Sequence, residues 1–269
     1  MTRLKRLSLL TLLISTCLFS QVHAGGFAAT VSPPRFELQG EPGKVIREIV
    51  EIHNSGNSKA VYTLRTADWK LSDDGGLTIY PPELQPDSCR PWVRMERLKL
   101  PLQSQAGKRL RFEIHIPEGT PSGECRLAIL VEPDADAVTM ARAKNIEFPI
   151  EGRIAIIIYV AVGDAKPELT LHSVTLQEVN GRLSPVATLQ NTGNAHGRPS
   201  GFLDGRDANG ARIDFNVAES PIMPGQTRKI PLWQAPAEGT EAVILQPPLQ
   251  LEGTIEWRGG KQKIKTTLQ

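Results

Sequence analysis

Cysteine is scarce in this chain: three residues in 269, Cys17, Cys89 and Cys125, with no Cys-x-x-Cys pair among them. That excludes a dithiol redox centre and a cysteine-rich metal site. The five histidines are scattered and form neither His-x-His nor His-Glu-x-x-His. His53 and His115 fall inside strand-like runs, where a structural role fits better than a ligand role. There is no glycine-rich phosphate loop, and no Ser/His/Asp set in a recognisable context. Asp73-Asp74 before Gly75-Gly76 reads as a turn, and Asp204–Gly210 lacks the ligand spacing and closing glutamate of a calcium loop. No enzyme activity, cofactor or metal is expected.

Net charge is also small. The whole chain carries +2, but three of its 31 basic residues and none of its 29 acidic ones lie in the first 24 positions. The rest has 28 basic against 29 acidic residues, which gives no electrostatic reason to expect nucleic acid as a partner. Past the N-terminal segment no apolar run reaches the roughly 20 residues a membrane helix needs. Ile154–Val162 is too short, so no integral membrane segment is expected in the mature chain.

The first 24 residues have the organisation of a secretion signal. Arg3, Lys5 and Arg6 precede the apolar stretch Leu7–Phe19, and Val22-His23-Ala24 places small residues for cleavage after Ala24. Cys17 raises lipidation as an alternative, but Thr16 before it and the apolar residues after it do not suit a lipidated cysteine. An exported chain with Cys89 and Cys125 remaining suggests one disulfide across 36 residues, worth about 3–4 kcal/mol by loop entropy. Two buried free thiols are the other reading.

The remaining chain reads as all-β. Strand-like runs at Val45–His53, Ala60–Trp69, Trp92–Leu98, Arg109–Ile116, Arg126–Glu132 and Ile146–Val162 are separated by Gly, Pro, Asn and Asp clusters. Asp134–Arg142 is compatible with a helical turn or two. Two internal echoes indicate tandem modules. Asn54-Ser55-Gly56-Asn57 and Asn191-Thr192-Gly193-Asn194 each follow an apolar strand, as turns between antiparallel strands. Gln105–Ile116 and Pro224–Trp233 each place a glycine turn before a basic strand. The Gly163–Pro167 segment is the expected linker between domains at 25–163 and 167–269.

The segment 144–163 contains an unusual strand. Ile146, Phe148 and Ile150 alternate with Glu147, Pro149 and Glu151, and a continuous apolar run follows. Pro149 cannot donate a ladder hydrogen bond and pushes this part toward a sheet edge. Its apolar residues either fill the protein's own core or await a strand from another chain.

In order along the chain, four features resemble the periplasmic pilus chaperones of the chaperone–usher pathway (PapD-like). They are Val31-Ser32-Pro33-Pro34-Arg35-Phe36, the Asn54 turn, the basic strand Lys108–Phe112 leading to Cys125–Glu132, and the alternating strand. The segments Pro121–Glu124 and Trp69–Cys89 depart from the family pattern, which implies a divergent branch. The resemblance implies two tandem immunoglobulin-like β-sandwich domains, a periplasmic location, and a pilus or fimbrial subunit and an outer-membrane usher as partners. It implies that Ile146, Phe148 and Ile150 form a donor strand completing the subunit's sandwich, while Arg35 and Arg153 anchor its terminal carboxylate. If the register shifts so that Ala155 is the matching position, the second anchor is absent. An exported structural or adhesive protein with two self-contained modules is the alternative.

Overall fold

The computed structural model describes residues 27–72, 75–134, 139–143, 146–150, 152–235 and 241–269. The leader expected at 1–24 lies outside these residues, as do Asp73 and Asp74 and the side chains of 139–150.

Alternating burial builds the first half into two facing sheets. One contains β1 (Ala29–Ser32) and β3 (Val45–Asn54); the other contains β2 (Arg35–Gly40) and β4 (Ala60–Ala67). Pro33-Pro34 interrupts what would be one N-terminal strand, and the chain changes sheets there because two consecutive residues lack an N–H for the ladder. A small hairpin, β5 (Trp69–Leu71) with β6 (Leu77–Ile79), follows, then β7 (Val93–Met95), β8 (Lys99–Leu102), β9 (Gly107–His115) and β10 (Gly123–Pro133). Next come β11 (Thr139–Ala143), β12 (Ile146–Ile150) and β13 (Ile154–Val162). The sheet orders are β1-β3-β9-β7 and β2-β13-β10-β4-β8, with β2 parallel to β13. Val50, Ile52, Leu110, Phe112 and Ile114 on one sheet meet Leu64, Leu127, Ile129, Ile156 and Ile158 on the other, all buried. Each such side chain contributes on the order of 1.5–3 kcal/mol by leaving water. Phe36 and Phe112 meet edge to face at 5.3 Å.

The disulfide alternative is resolved: Cys89 and Cys125 are bonded, with Cα atoms 5.5 Å apart. Two local expectations change. Thr139–Ala143 is a strand, so the helical reading of that stretch does not hold for these residues. The expected long strand Ile146–Val162 is two strands. Gly152 lies between them, where a Cβ would fall 2.3 Å from Phe27 Cβ, so only glycine lets the N-terminal segment pass this close.

The second half is built from β14 (Leu169–Val179), β15 (Arg182–Asn191), β16 (Phe202–Arg206), β17 (Arg212–Val217), β18 (Thr227–Gln234), β19 (Leu249–Trp257) and β20 (Gly260–Leu268). These form one continuous sheet in the order β14-β15-β18-β17-β16-β19-β20. The sheet folds over on itself so that β14 and β20 approach each other. It encloses Leu189, Phe215, Ile230, Leu232, Leu249 and Ile255. Among the described residues no strand is shared between the two halves.

The Asn turns differ from expectation in one respect. The strands flanking Asn54 lie in different sheets, and those flanking Asn191 are not neighbours in theirs, so neither turn closes a hairpin. The asparagine itself ties the connection. Asn54 Nδ2 donates to Ser58 O (2.8 Å) and Gln103 O (3.0 Å), and Asn191 Nδ2 donates to Ala195 O and Ile222 O (both 2.8 Å).

Candidate functional site

Strand β12 carries the three residues expected to be donated. It pairs antiparallel with β11, setting Ile146 opposite Ala143, Phe148 opposite Ala141 and Ile150 opposite Thr139. Among the described residues this hairpin is a separate two-stranded sheet, hydrogen-bonded to neither sheet of the first sandwich. Ile146, Phe148 and Ile150 occupy alternate positions of a strand with a partner on one side only.

The two expected anchors lie on the outer face of the five-stranded sheet. Phe36 enters the core, so Arg35 points outward, and the parallel register sets it level with Ile157. Arg153 precedes β13 by one residue and shares the parity of Ala155, Ile157 and Tyr159 on that face. The structure engages the two arginines differently. Arg35 Nε is 3.1 Å from Glu37 Oε1, whereas Arg153 Nη1 is 4.0 Å from Glu132 Oε1. Glu132 also receives a two-pronged grip from Arg65, at 2.7 and 2.8 Å. Ala155, the alternative position for the second anchor, lies on the same face, two residues from Arg153.

Between the anchors the face is apolar. Ala67, Trp69, Ala128, Leu130 and Tyr159 form a second, smaller cluster that includes Met223 of the second half. Trp69 Nε1 donates to Leu127 O at 3.0 Å, and its ring meets Tyr159 edge to face at 5.3 Å. Tyr159 in turn stacks on His196 of the second half, with centroids 3.9 Å apart.

His196 is the centre of a charged junction between the halves, and its side chain is only 4% exposed. Its Nδ1 lies 2.7 Å from Glu124 Oε2, its backbone N–H donates to Glu124 Oε1, and its Nε2 lies 3.6 Å from Glu37. Arg198 Nε lies 3.3 Å from Glu37 and its Nη1 donates to Glu219 O. Burial opposes charge on His196, but the bonds to Glu124 and Glu37 outweigh it and raise its pKa above the ordinary value. The same contact with His196, aided by Arg198 and Arg35 against partial burial, lowers Glu37 to about 2. Burial pushes the Tyr159 hydroxyl up to about 12.

The sequence reading missed this junction. His196 has no motif around it; its one signal is that it follows the second Asn-x-Gly-Asn turn by two residues. Among the described residues no group of His, Cys, Asp and Glu could hold a metal ion, and no helix is long and apolar enough to cross a membrane.

No family model matches the chain, and no curated protein matches its sequence. Chaperone–usher fimbrial chaperones are prominent among the solved structures it is similar to. The YadV chaperone is 11% identical with a TM-score of 0.46, covering 89% of this chain and 99% of that one. The Escherichia coli chaperone DraB is 15% identical with a TM-score of 0.44, covering 90% and 97%. The Pseudomonas aeruginosa CupB2 chaperone is 9% identical, also with a TM-score of 0.44, covering 89% and 100%.

Proposed function

We propose that this protein is a periplasmic chaperone that binds pilus or fimbrial subunits by strand donation and passes them to an outer-membrane usher. The observation that carries the proposal is β12: an apolar–polar alternating strand, paired on one side with β11 and joined to neither sandwich sheet among the described residues. A sandwich lacking one strand exposes both core side chains and unpaired backbone. An added strand supplies both, with Ile146, Phe148 and Ile150 as the apolar contribution. Three such side chains represent on the order of 1.5–3 kcal/mol each before ordering costs. In this reading Arg35 and Arg153, which share the outer face of the adjoining sheet, are the residues that hold the client's terminal carboxylate. The energy for this work comes from folding of the client, so no nucleotide is required.

The test is co-expression of the full chain with candidate pilus subunits, followed by purification from the periplasm. A one-to-one complex that survives in wild type and is lost in Phe148→Glu is the expected result. Capture undiminished by Phe148→Glu sinks strand donation, and a partnerless monomer in every pairing favours a structural two-module protein.

A further inference from the structure

We infer that the outer face of the second half, centred on β16 and β19, is a binding site for an oligosaccharide whose pyranose units carry carboxylates. Phe202 and Trp233 are its ring platforms and Arg206 holds a carboxylate. The inference lies in the other half of the molecule from the donor strand and does not rest on strand donation.

A trough of about 960 Å³ opens on this face, and its lining includes Asp204, Arg206, Arg212, Gln250, Glu252 and Lys265. Its position has a local cause. Gly205 of β16 and Gly253 of β19 stand at core-facing positions, where a Cβ would fall 2.5 Å from Phe215 Cε2 and 2.9 Å from Leu203 Cγ. Without those side chains the backbone lies directly on the core, and the sheet dips there.

The charges are placed for a ligand rather than for one another. Across β16 and β17, Asp204 stands directly opposite Asp214, and Arg206 directly opposite Arg212. Like charges in such positions are destabilising, and exchanging Arg212 with Asp214 would remove both conflicts. The ion pairs present offset this only in part. Arg212 Nη2 reaches Asp204 Oδ1 diagonally at 3.4 Å, and Lys265 Nζ lies 2.9 Å from Glu252, in both cases between largely exposed side chains. Arg206 donates to Gly210 O at 3.2 Å and has no carboxylate partner among the described residues. Two adjacent guanidinium groups therefore share one carboxylate, which leaves Arg206 open to an anion from outside.

The aromatic residues set the ligand class. Phe202 is 78% exposed and shares the face of Asp204, two residues away on β16. The register places Asn216 beside it and Trp233, also exposed, beyond, in one row across three strands. Phe202 and Trp233 are thus two strand spacings apart, roughly 10 Å, the length of two linked pyranose rings. A pyranose offers C–H groups to an aromatic face and hydroxyls, which both donate and accept, at its rim. Around the trough Glu252 and Asp204 accept, Arg212 and Lys265 donate, and Gln250 does both. A polypeptide strand has no edge to join, because β16 and β19 each have neighbours on both sides. A nucleic acid backbone is repelled by Asp204, Asp214 and Glu252.

The test uses residues 25–269 and two tetrasaccharides, one of galacturonic acid and one of hyaluronan, each as the free acid and as the methyl ester. Binding is measured by calorimetry at physiological ionic strength, where loose surface attraction is screened. At least one free acid should bind about tenfold more tightly than its ester. That margin should vanish in Arg206→Gln. Phe202→Ala should weaken acid and ester alike by about tenfold. Both side chains are exposed, so the thermal midpoint should stay at the wild-type value. Arg47→Gln, which removes an exposed arginine of the first half, should change neither affinity. No binding of any of the four probes overturns the site. So does a margin that survives Arg206→Gln, or one that falls equally in Arg47→Gln. Acid binding untouched by Phe202→Ala shows an anion held without its ring and overturns it as well. Subunit capture at the wild-type level in both second-half variants separates this site from the chaperone reading, so either can fail alone.

Discussion

The two Asn-x-Gly-Asn turns are built from the same bonds and do different work. In each, the first asparagine is buried, its Nδ2 donates to the carbonyl four residues on, and its Oδ1 accepts from the glycine N–H at 3.0 Å. In each, its backbone N–H donates at 2.9 Å to the turn before the basic strand, Ala106 O in one half and Gln226 O in the other. The next residue bonds the start of its own half, Ser55 to Ala28 O and Thr192 to Glu168 O. The surroundings then diverge. The first turn is held by Ser104 and Gln105 of its own half. The second reaches across the junction: Glu124 N–H donates to Asn194 O at 2.9 Å, Asn194 Nδ2 approaches Ser122 O, and His196 meets Glu124. A local motif therefore specifies a connection, and its position in the chain decides whether that connection also sets how the halves meet.

The largest expected effect tests the equivalence. Asn54→Ala and Asn191→Ala each strand buried carbonyls and should each cost about 3–5 kcal/mol. Denaturant unfolding of the two variants should give similar losses. A cost below about 1 kcal/mol in either would break the equivalence.

The next tests the difference. His196→Ala leaves the Glu124 carboxylate, 3% exposed, without its imidazole partner, which should cost about 3 kcal/mol. Small-angle scattering should show a wider spread of arrangements between the halves. An unchanged profile together with unchanged stability would remove His196 from the junction.

The glycines sharpen it further. A Cβ on Gly193 would sit 2.4 Å from Lys166 O, whereas one on Gly56 would meet Asn54 Oδ1 at 3.1 Å and Ala28 Cβ at 3.3 Å. Gly193→Ala should cost about 2 kcal/mol and Gly56→Ala under about 1. Equal midpoint shifts would show that the close approach at the linker is not maintained in solution.

The smallest effect is pH. His196 has a raised folded-state pKa, so its contribution is complete below its unfolded value near 6.5 and is lost as pH rises through the raised folded value. Glu37, lowered to about 2, contributes above its ordinary 4.5, and that contribution is lost as pH falls toward 2. Glu124, Glu37, Arg198, Arg35 and the neutral Tyr159 hydroxyl surround the imidazole. The halves should therefore hold most firmly in mildly acidic solution and loosen as the pH rises into alkali. A pH-independent midpoint in wild type, or the same dependence in His196→Ala, would exclude this linkage.

Much of this architecture could be read from the residues. Alternation in Val45–His53 and Arg109–Ile116 placed Val50, Ile52, Leu110, Phe112 and Ile114 on one face, where they are buried. The Asn-x-Gly-Asn echo marked a repeat, because a buried asparagine capping a sharp connection leaves few other residue types possible. The break between β12 and β13 was not legible, since it depends on Phe27 lying against Gly152 from far away in the chain.

Periodicity, turn chemistry and the cysteine count determined an all-β chain with a duplicated connection and a disulfide as one of two readings. These depend on neighbours within a few residues, and the sequence states them directly. Tertiary structure alone decided that Cys89 meets Cys125, that the second half is one folded sheet, and that His196 is clasped by two glutamates of the first half. The partners in that clasp are 72 and 159 positions apart from His196. No local pattern encodes such pairs; only the folded sheets bring them within bonding distance.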